Sequence, residues 1–244
     1  INWTNDKPYV ILGGMIVDTN AVLTIQQGTR IHLNADAPFI VDGTLIVNGT
    51  KTDSVVFRSN RLDIPYNEYP GAWPGIYFRG SSINNRLTYT YIRNAYQGIV
   101  VERPSTNANP KLILNNCVLD NIYDIGLFAV NTSVVANNCL ISNCGSNIAL
   151  IYGGNYQFNH CTVVTASSSF IEHKNPVLTA TNFVKQNNQV FTSPFSIHAK
   201  VRDGKMTYFQ FMEDTYASAS SFRQSGSWTV KTSANAAPFA VGAD

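Results

Sequence analysis

The chain is poor in charge. Only 13% of its 244 residues are Asp, Glu, Lys or Arg, about half the usual share, and the net charge is +2 with no basic run. That balance excludes nucleic acid or an anionic membrane as a main partner. No stretch approaches the ~20 apolar residues of a membrane helix, so no transmembrane segment is expected. Neither CxxC nor HxxxH spacing occurs, which leaves no zinc site, and no metal or cofactor is predicted. No Asp-Asp or Asp-x-Asp pair occurs either. The chain opens at Ile1 with neither an initiator Met nor a signal peptide, which reads as a mature product or a fragment.

What the chain has is a period. Asn115-Asn116-Cys117, Asn137-Asn138-Cys139 and Asn159-His160-Cys161 follow one another at a constant step, and Thr181-Asn182-Phe183 echoes them one step further on. The residue four places past each of these is Asn121, Asn143, Thr165 and Asn187. Apolar blocks keep the same step: Leu112-Ile113-Leu114, Val134-Val135-Ala136, Tyr156-Gln157-Phe158 and Leu178-Thr179-Ala180. A fixed period of about 22 residues is the signature of a solenoid, whose units cannot bury an apolar face alone. Units this short predict strands, hence one coil of a parallel β-helix per repeat, with like positions ~4.8 Å apart along the axis. Apolar content of 44% fills the interior, while Asn suits the turns because it tolerates left-handed backbone. Cys117, Cys139 and Cys161 then form an inward ladder, with Cys144 in a neighbouring turn. Parallel side chains in register rarely meet the torsion a disulfide needs, so free buried thiols are expected.

Short alternating runs begin at once, from Tyr9-Val10-Ile11-Leu12 and Met15-Ile16-Val17 to Val55-Val56-Phe57, separated by turn formers such as Gly13-Gly14, Asp42-Gly43 and Asn48-Gly49. The series Leu23-Thr24-Ile25-Gln26-Gln27-Gly28-Thr29, Gly43-Thr44-Leu45-Ile46-Val47-Asn48-Gly49-Thr50 and Val55-Val56-Phe57 resembles the opening coils of right-handed β-helix proteins from bacterial cell surfaces, in the pectate-lyase-like superfamily. Gly126-Leu127-Phe128-Ala129 and Gly153-Gly154-Asn155-Tyr156 resemble later coils of that group. The resemblance covers roughly residues 9–190 and implies an all-β, right-handed parallel β-helix of about seven or eight coils. It also implies export to the cell surface, the extracellular space or the periplasm.

Two insertions break the period. Residues 61–74 carry Tyr66, Tyr69, Pro70 and Trp73, while 103–110 form a polar loop that stretches the step from Asn94 to Asn121 beyond the period. Loops on a rigid scaffold are where function concentrates. Past Phe191 the period fails. Phe195, Ile197, Ala199 and Val201 alternate with polar residues, Asp203-Gly204 makes a turn, and a second strand runs from Met206 to Met212: a hairpin. Asp214-Thr215 caps a short helix through Phe222. The domains expected are therefore a β-helix over 1–191 and a hairpin-rich tail or cap over 192–244. Residues 193–225 resemble the last strands of SnoaL-like domains, but a chain of this length has no room for the rest of such a domain, so no catalytic residue is carried over.

Acid–base chemistry on a glycan needs two carboxylates roughly 5–9 Å apart. The central coils hold only Glu102, Asp120 and Asp124, while Asp63 and Glu68 share the first insertion. Asp63, Glu68 and Glu102 are the acid/base candidates. Asp120 aligns with Arg93 one coil earlier, which reads as a surface ion pair. The four histidines are dispersed, and His160 points away from Cys161 because neighbours on a strand face opposite ways. Tyr66, Tyr69 and Trp73 are the ligand-binding candidates, since flat rings with polar edges suit sugar faces. The competing reading of Trp73, set between Pro70-Gly71 and Pro74, is an anchor for the loop. Of Tyr77 and Phe78, one faces the core. The sequence thus favours a non-catalytic exported scaffold that displays loops for binding, with glycan or a surface protein as partner. A polysaccharide lyase or glycoside hydrolase and a purely structural module of a larger surface assembly stand as alternatives.

Overall fold

The structure, a computed structural model, describes residues 1–165 and Ile171 in full. Beyond them it describes the backbone of strands Asn175–Ala180, Phe183–Val184, Val190–Phe191, Phe195–Arg202, Lys205–Glu213, Trp228–Val230 and Phe239–Val241. The chain winds as a right-handed parallel β-helix, with every pairing up to Ala180 parallel and joining one coil to the next.

Three faces are built, each of seven rungs among the described residues. The first stacks Asn2–Trp3, Val22–Gln26, Thr44–Asn48, Asn85–Thr88 and Leu112–Asn115, then 134–137 and 156–159. The second stacks Tyr9–Ile11, Arg30–Leu33, Val55–Ser59, Thr90–Arg93, then 118–120, 140–142 and Thr162–Val164. The third stacks Met15–Val17, Phe39–Val41, Ile76–Phe78, Ile99–Glu102, then 127–130, 148–151 and 178–180. Seven rungs among the described residues fall within the seven or eight coils expected.

Alternation along each strand decides what lies inside. On the second face Tyr9, Ile31, Phe57, Ile92, Leu119, Ile141 and Val163 lie one above another and point inward, and the middle five are fully buried or nearly so. Phe39 and Phe57 meet edge to face, with centroids 5.5 Å apart, where two faces converge on the axis. Phe78 faces the core and Tyr77 is half-buried, as the alternation requires. Asn85 replaces an aliphatic residue in the first inward column. It survives there because its Oδ1 accepts from the Leu45 amide at 2.9 Å and its Nδ2 donates to the Lys111 carbonyl at 3.0 Å.

The corners turn on left-handed residues. Asn116, Asn138 and His160 have φ of 54°, 52° and 54° at one corner, and Asn94, Asn121 and Asn143 have 63°, 57° and 53° at the next. Asn reaches this region at little cost, and its amide stays free to pair along the axis. At the corner Asn138 donates to Asn116 at 2.7 Å, and at the strand ends just before it Asn137 donates to Asn115 at 2.9 Å and Asn159 to Asn137 at 2.8 Å. His160 therefore holds a turn position that Asn holds in the two coils before it, which accounts for its place beside the ladder cysteine.

Asp124 lies within the long strand Val118–Asn137 and accepts from the Gln97 amide at 3.0 Å. Cys144, expected in a turn, lies within Leu140–Asn159, buried. In the tail, Phe195–Arg202 pairs antiparallel with Lys205–Glu213, the hairpin expected from the alternation. Phe183–Val184 and Val190–Phe191 also pair antiparallel. The Asp203-Gly204 turn and the helix through Phe222 lie outside the described residues. Among the described residues no helix is long and apolar enough to cross a membrane.

All four cysteines are free; Cys117, Cys139 and Cys144 are buried and Cys161 is partly exposed. Burial pushes the Cys144 thiol up to about 12. Hydrogen bonding to Cys117, with burial, pushes Cys139 up to about 12. Thiolate is the reactive form, so raised values suppress modification. In the native protein at pH 8, a thiol reagent such as DTNB should react within minutes with no more than Cys161. All four thiols should react once guanidinium unfolds the chain, and release of three or more equivalents from native protein would contradict this packing.

Candidate functional site

The first insertion leaves the second face after Ser59 and returns to the third at Ile76. Between them it folds back onto the corner made by Asn94 and Asn121. Asn94 donates its side-chain amide to the Asn67 carbonyl at 2.7 Å, and Asn121 donates to the Glu68 carbonyl at 2.8 Å. The amides of Gly71 and Ala72 donate to the carbonyls of Ala95 and Asn94, and Tyr96 donates back to Trp73 at 2.7 Å. Trp73 forms a parallel bridge with Ala95, so the insertion ends as one extra half-rung.

Trp73 is fully buried, and its indole N–H donates to the Arg93 carbonyl at 2.9 Å. The ligand-binding assignment for Trp73 is therefore corrected. Its ring is the staple of the insertion and offers no face to a ligand. A buried indole requires a partner for its N–H, and the Arg93 carbonyl at the strand end supplies one.

Tyr66 lies on a short 3-10 turn, Tyr66–Glu68, and is 44% exposed. Its ring meets Tyr69 edge-on at 5.3 Å, and the Arg61 guanidinium sits 4.0 Å from its centre. A second aromatic pair lies beside it. Tyr96 and Tyr123 stack at 5.5 Å and 25°, exposed by 47% and 50%. Tyr123 packs against Gly71 of the insertion, where a side chain would crowd it at 3.3 Å and where φ is +75°. Sequence reading missed this pair, although each tyrosine stands two places after a corner asparagine, Asn94 or Asn121.

The acid/base candidates do not converge. Asp63 is bound through both oxygens by Arg61, at 2.8 Å each. That guanidinium holds its carboxyl down to about 2, so Asp63 carries no proton to donate at any ordinary pH. Glu68 pairs with Arg93 at 3.0 Å, and Glu102, on the third face, pairs with Arg79 at 2.9 Å. The expected pair of Arg93 with Asp120 is thus corrected. The two are in register, but Arg93 turns to Glu68 and to Asn94, while Asp120 accepts from Ser142 at 2.8 Å and Asn143 at 3.2 Å. Among the described residues no three His, Cys, Asp or Glu side chains gather as a metal site.

The second insertion is fastened by Lys111. Its buried ammonium donates to the carbonyls of Gly80, Glu102 and Arg103, at 2.9, 2.6 and 3.2 Å. Asn107 and Asn109 both donate to Asn84 Oδ1, at 3.1 and 3.0 Å, so the loop stands over the first face. Hollows of about 410 and 340 Å³ flank it. The larger is walled by amides and small polar groups, Asn107, Asn131, Asn155 and Gln157 among them, with no charged residue.

Coils, corners and insertions together frame the comparison with known proteins. Residues 1–105 match the family model of the pectate-lyase like beta helix domain. Comparison with curated proteins and with solved structures gives no match. The matched stretch takes in the whole first insertion, with Asp63, Tyr66, Glu68 and Tyr69, as well as Tyr96 and Glu102 beyond it, and stops inside the second.

Trp73→Ala should cost about 3–5 kcal/mol in urea denaturation, the usual range for emptying a buried tryptophan site. Glu68→Gln should cost no more than about 1 kcal/mol, because its carboxylate is more than half exposed. Equal losses would mean that charge and not the indole holds the insertion.

Proposed function

We propose that the protein is a non-catalytic, exported surface scaffold that binds glycan on the corner formed by the first insertion. The single observation that carries this reading is the exposed aromatic surface there. Tyr66 and the stacked Tyr96–Tyr123 pair stand on backbone fixed by the Asn94 and Asn121 hydrogen bonds. Sugar rings carry apolar C–H faces and polar edges, and tyrosine offers the matching flat ring with a hydroxyl rim. A rigid platform loses little entropy on binding, which favours recognition by a surface already in its bound shape. The carboxylates support binding over hydrolysis or elimination, because each of the three candidates is neutralised by a different arginine. Export is what the resemblance to surface β-helices implies, and it accords with thiols of which three of four are buried.

A glycan array probed with the intact chain and with a Tyr66→Ala, Tyr96→Ala, Tyr123→Ala variant tests the proposal. The intact chain should bind at least one glycan class, and the variant should lose about tenfold or more in affinity, in line with ~0.5–1.5 kcal/mol per aromatic contact. The variant should keep its far-UV spectrum and Tm within a few degrees. Absence of binding by the intact chain, or equal binding by both proteins, overturns the assignment.

A further inference from the structure

On the second face, outward side chains stack as strictly as inward ones. Val10 pairs with His32, and His32 with Arg58. The pairing of Phe57 with Ile92 sets Arg93 beside Arg58 one coil further on. Arg30 stands two places before His32 on the same strand and is exposed. Three basic side chains, Arg30, His32 and Arg58, thus line one hollow of about 410 Å³, bordered by Asp53, Val56 and, from the first insertion, Leu62.

Little among the described residues neutralises them. Asp53 is the one carboxylate on the wall, and it already accepts from the Thr52 hydroxyl at 2.8 Å. Glu68 acts on Arg58 from a distance, but its own hydrogen bond goes to Arg93. The Nε of Arg58 is buried and has no hydrogen-bond partner among the described residues. Burial, then the neighbouring Arg93, pulls the Arg58 guanidinium below its ordinary value. His32 is pulled below 6.5 by burial first, with Arg58 and Arg30 adding to it, against the Ser59 carbonyl 3.4 Å from Nδ1. Cations held side by side and partly desolvated are unfavourable by themselves, and the attraction of a bound anion offsets that cost and favours the charged form of each group.

We infer that this hollow is an oxyanion-binding site, taking a sulfate- or phosphate-type group, either free or carried on a polymer. Guanidinium groups present paired N–H donors that match two oxygens of such a group. The Nδ1–H of His32 directed at the Ser59 carbonyl leaves Nε2 to gain the second proton as the anion enters. The site does not depend on the tyrosine surface, since a charged group is held here whether or not a sugar ring lies on Tyr66.

Inorganic sulfate is the probe, because its charge does not change across the pH range of histidine. The intact chain is titrated at constant ionic strength, with the His32 imidazole followed by NMR. Sulfate should raise the His32 pKa, and by reciprocity it should bind roughly tenfold more tightly at pH 5.5 than at pH 8. Arg58→Gln and Arg30→Gln should each weaken binding about tenfold, while Arg86→Gln, on the first face, leaves it unchanged. Dextran sulfate binding more tightly per sulfate than the free ion, with plain dextran inert, identifies a polymer-borne group; equal binding identifies the free ion. A His32 titration unmoved by sulfate, or moved equally in Arg58→Gln, overturns the inference.

Discussion

The described coils depend throughout on in-register pairing of each coil with the coils on either side. A coil of about 22 residues carries too few apolar side chains to offset the entropy of ordering its own backbone. Ile31, Phe57, Ile92, Leu119 and Ile141 become a core only because parallel hydrogen bonding sets one upon the next. The same bonding fixes the outer surface. A strand cannot slip by one residue without turning its apolar set to solvent, so every outward side chain has a determined neighbour above and below. Surface composition is therefore as much a product of register as the core is.

The corners translate that register into a place for loops to land. A left-handed asparagine turns the chain sharply and leaves its side-chain amide outside the coil. Where the coils are regular, that amide meets the next one along the axis, as from Asn116 to Asn138. Where the first insertion lies, the amides of Asn94 and Asn121 instead take carbonyls of Asn67 and Glu68. One residue type thus serves as turn, ladder and docking point. Trp73 closes the arrangement from within, burying the largest side chain of the insertion where a rung would otherwise have an edge.

The period made the fold readable from sequence. Identical spacing of Asn115-Asn116-Cys117 and its repeats placed the corner, the thiol ladder and the face assignment of each neighbouring residue. The insertions were readable too, because they interrupt that spacing. What spacing does not encode is where an insertion folds back. Trp73 reads equally as a displayed ring or a staple until its position over Ala95 is known. Arg93 aligns with Asp120, yet the insertion delivers Glu68 to it, and a flexible guanidinium follows the nearer partner. Tyr96 and Tyr123 escaped notice because the second insertion stretches their separation beyond the period, although their common offset from Asn94 and Asn121 carries the signal. A reading keyed to corner residues instead of to a fixed step finds them.

Register also has a cost that the fold cannot remove by itself. In a globular surface, like charges move apart by choosing other rotamers or other neighbours. In a solenoid, His32, Arg58 and Arg93 stand on successive rungs, so their spacing is set by strand separation, ~4.8 Å at the backbone. Relief comes only from something that does not belong to the stack. Glu68 provides it for Arg93, and it does so because an insertion, free of the coil period, brings a carboxylate across the face. No acid of the insertion does the same for Arg58 and Arg30; Asp63 is occupied by Arg61. Among the described residues the positive end of the column is thus left for a ligand. The two features that shape this outer surface are therefore one constraint seen twice: stacking concentrates like chemistry on a face, and only groups outside the stack complete it.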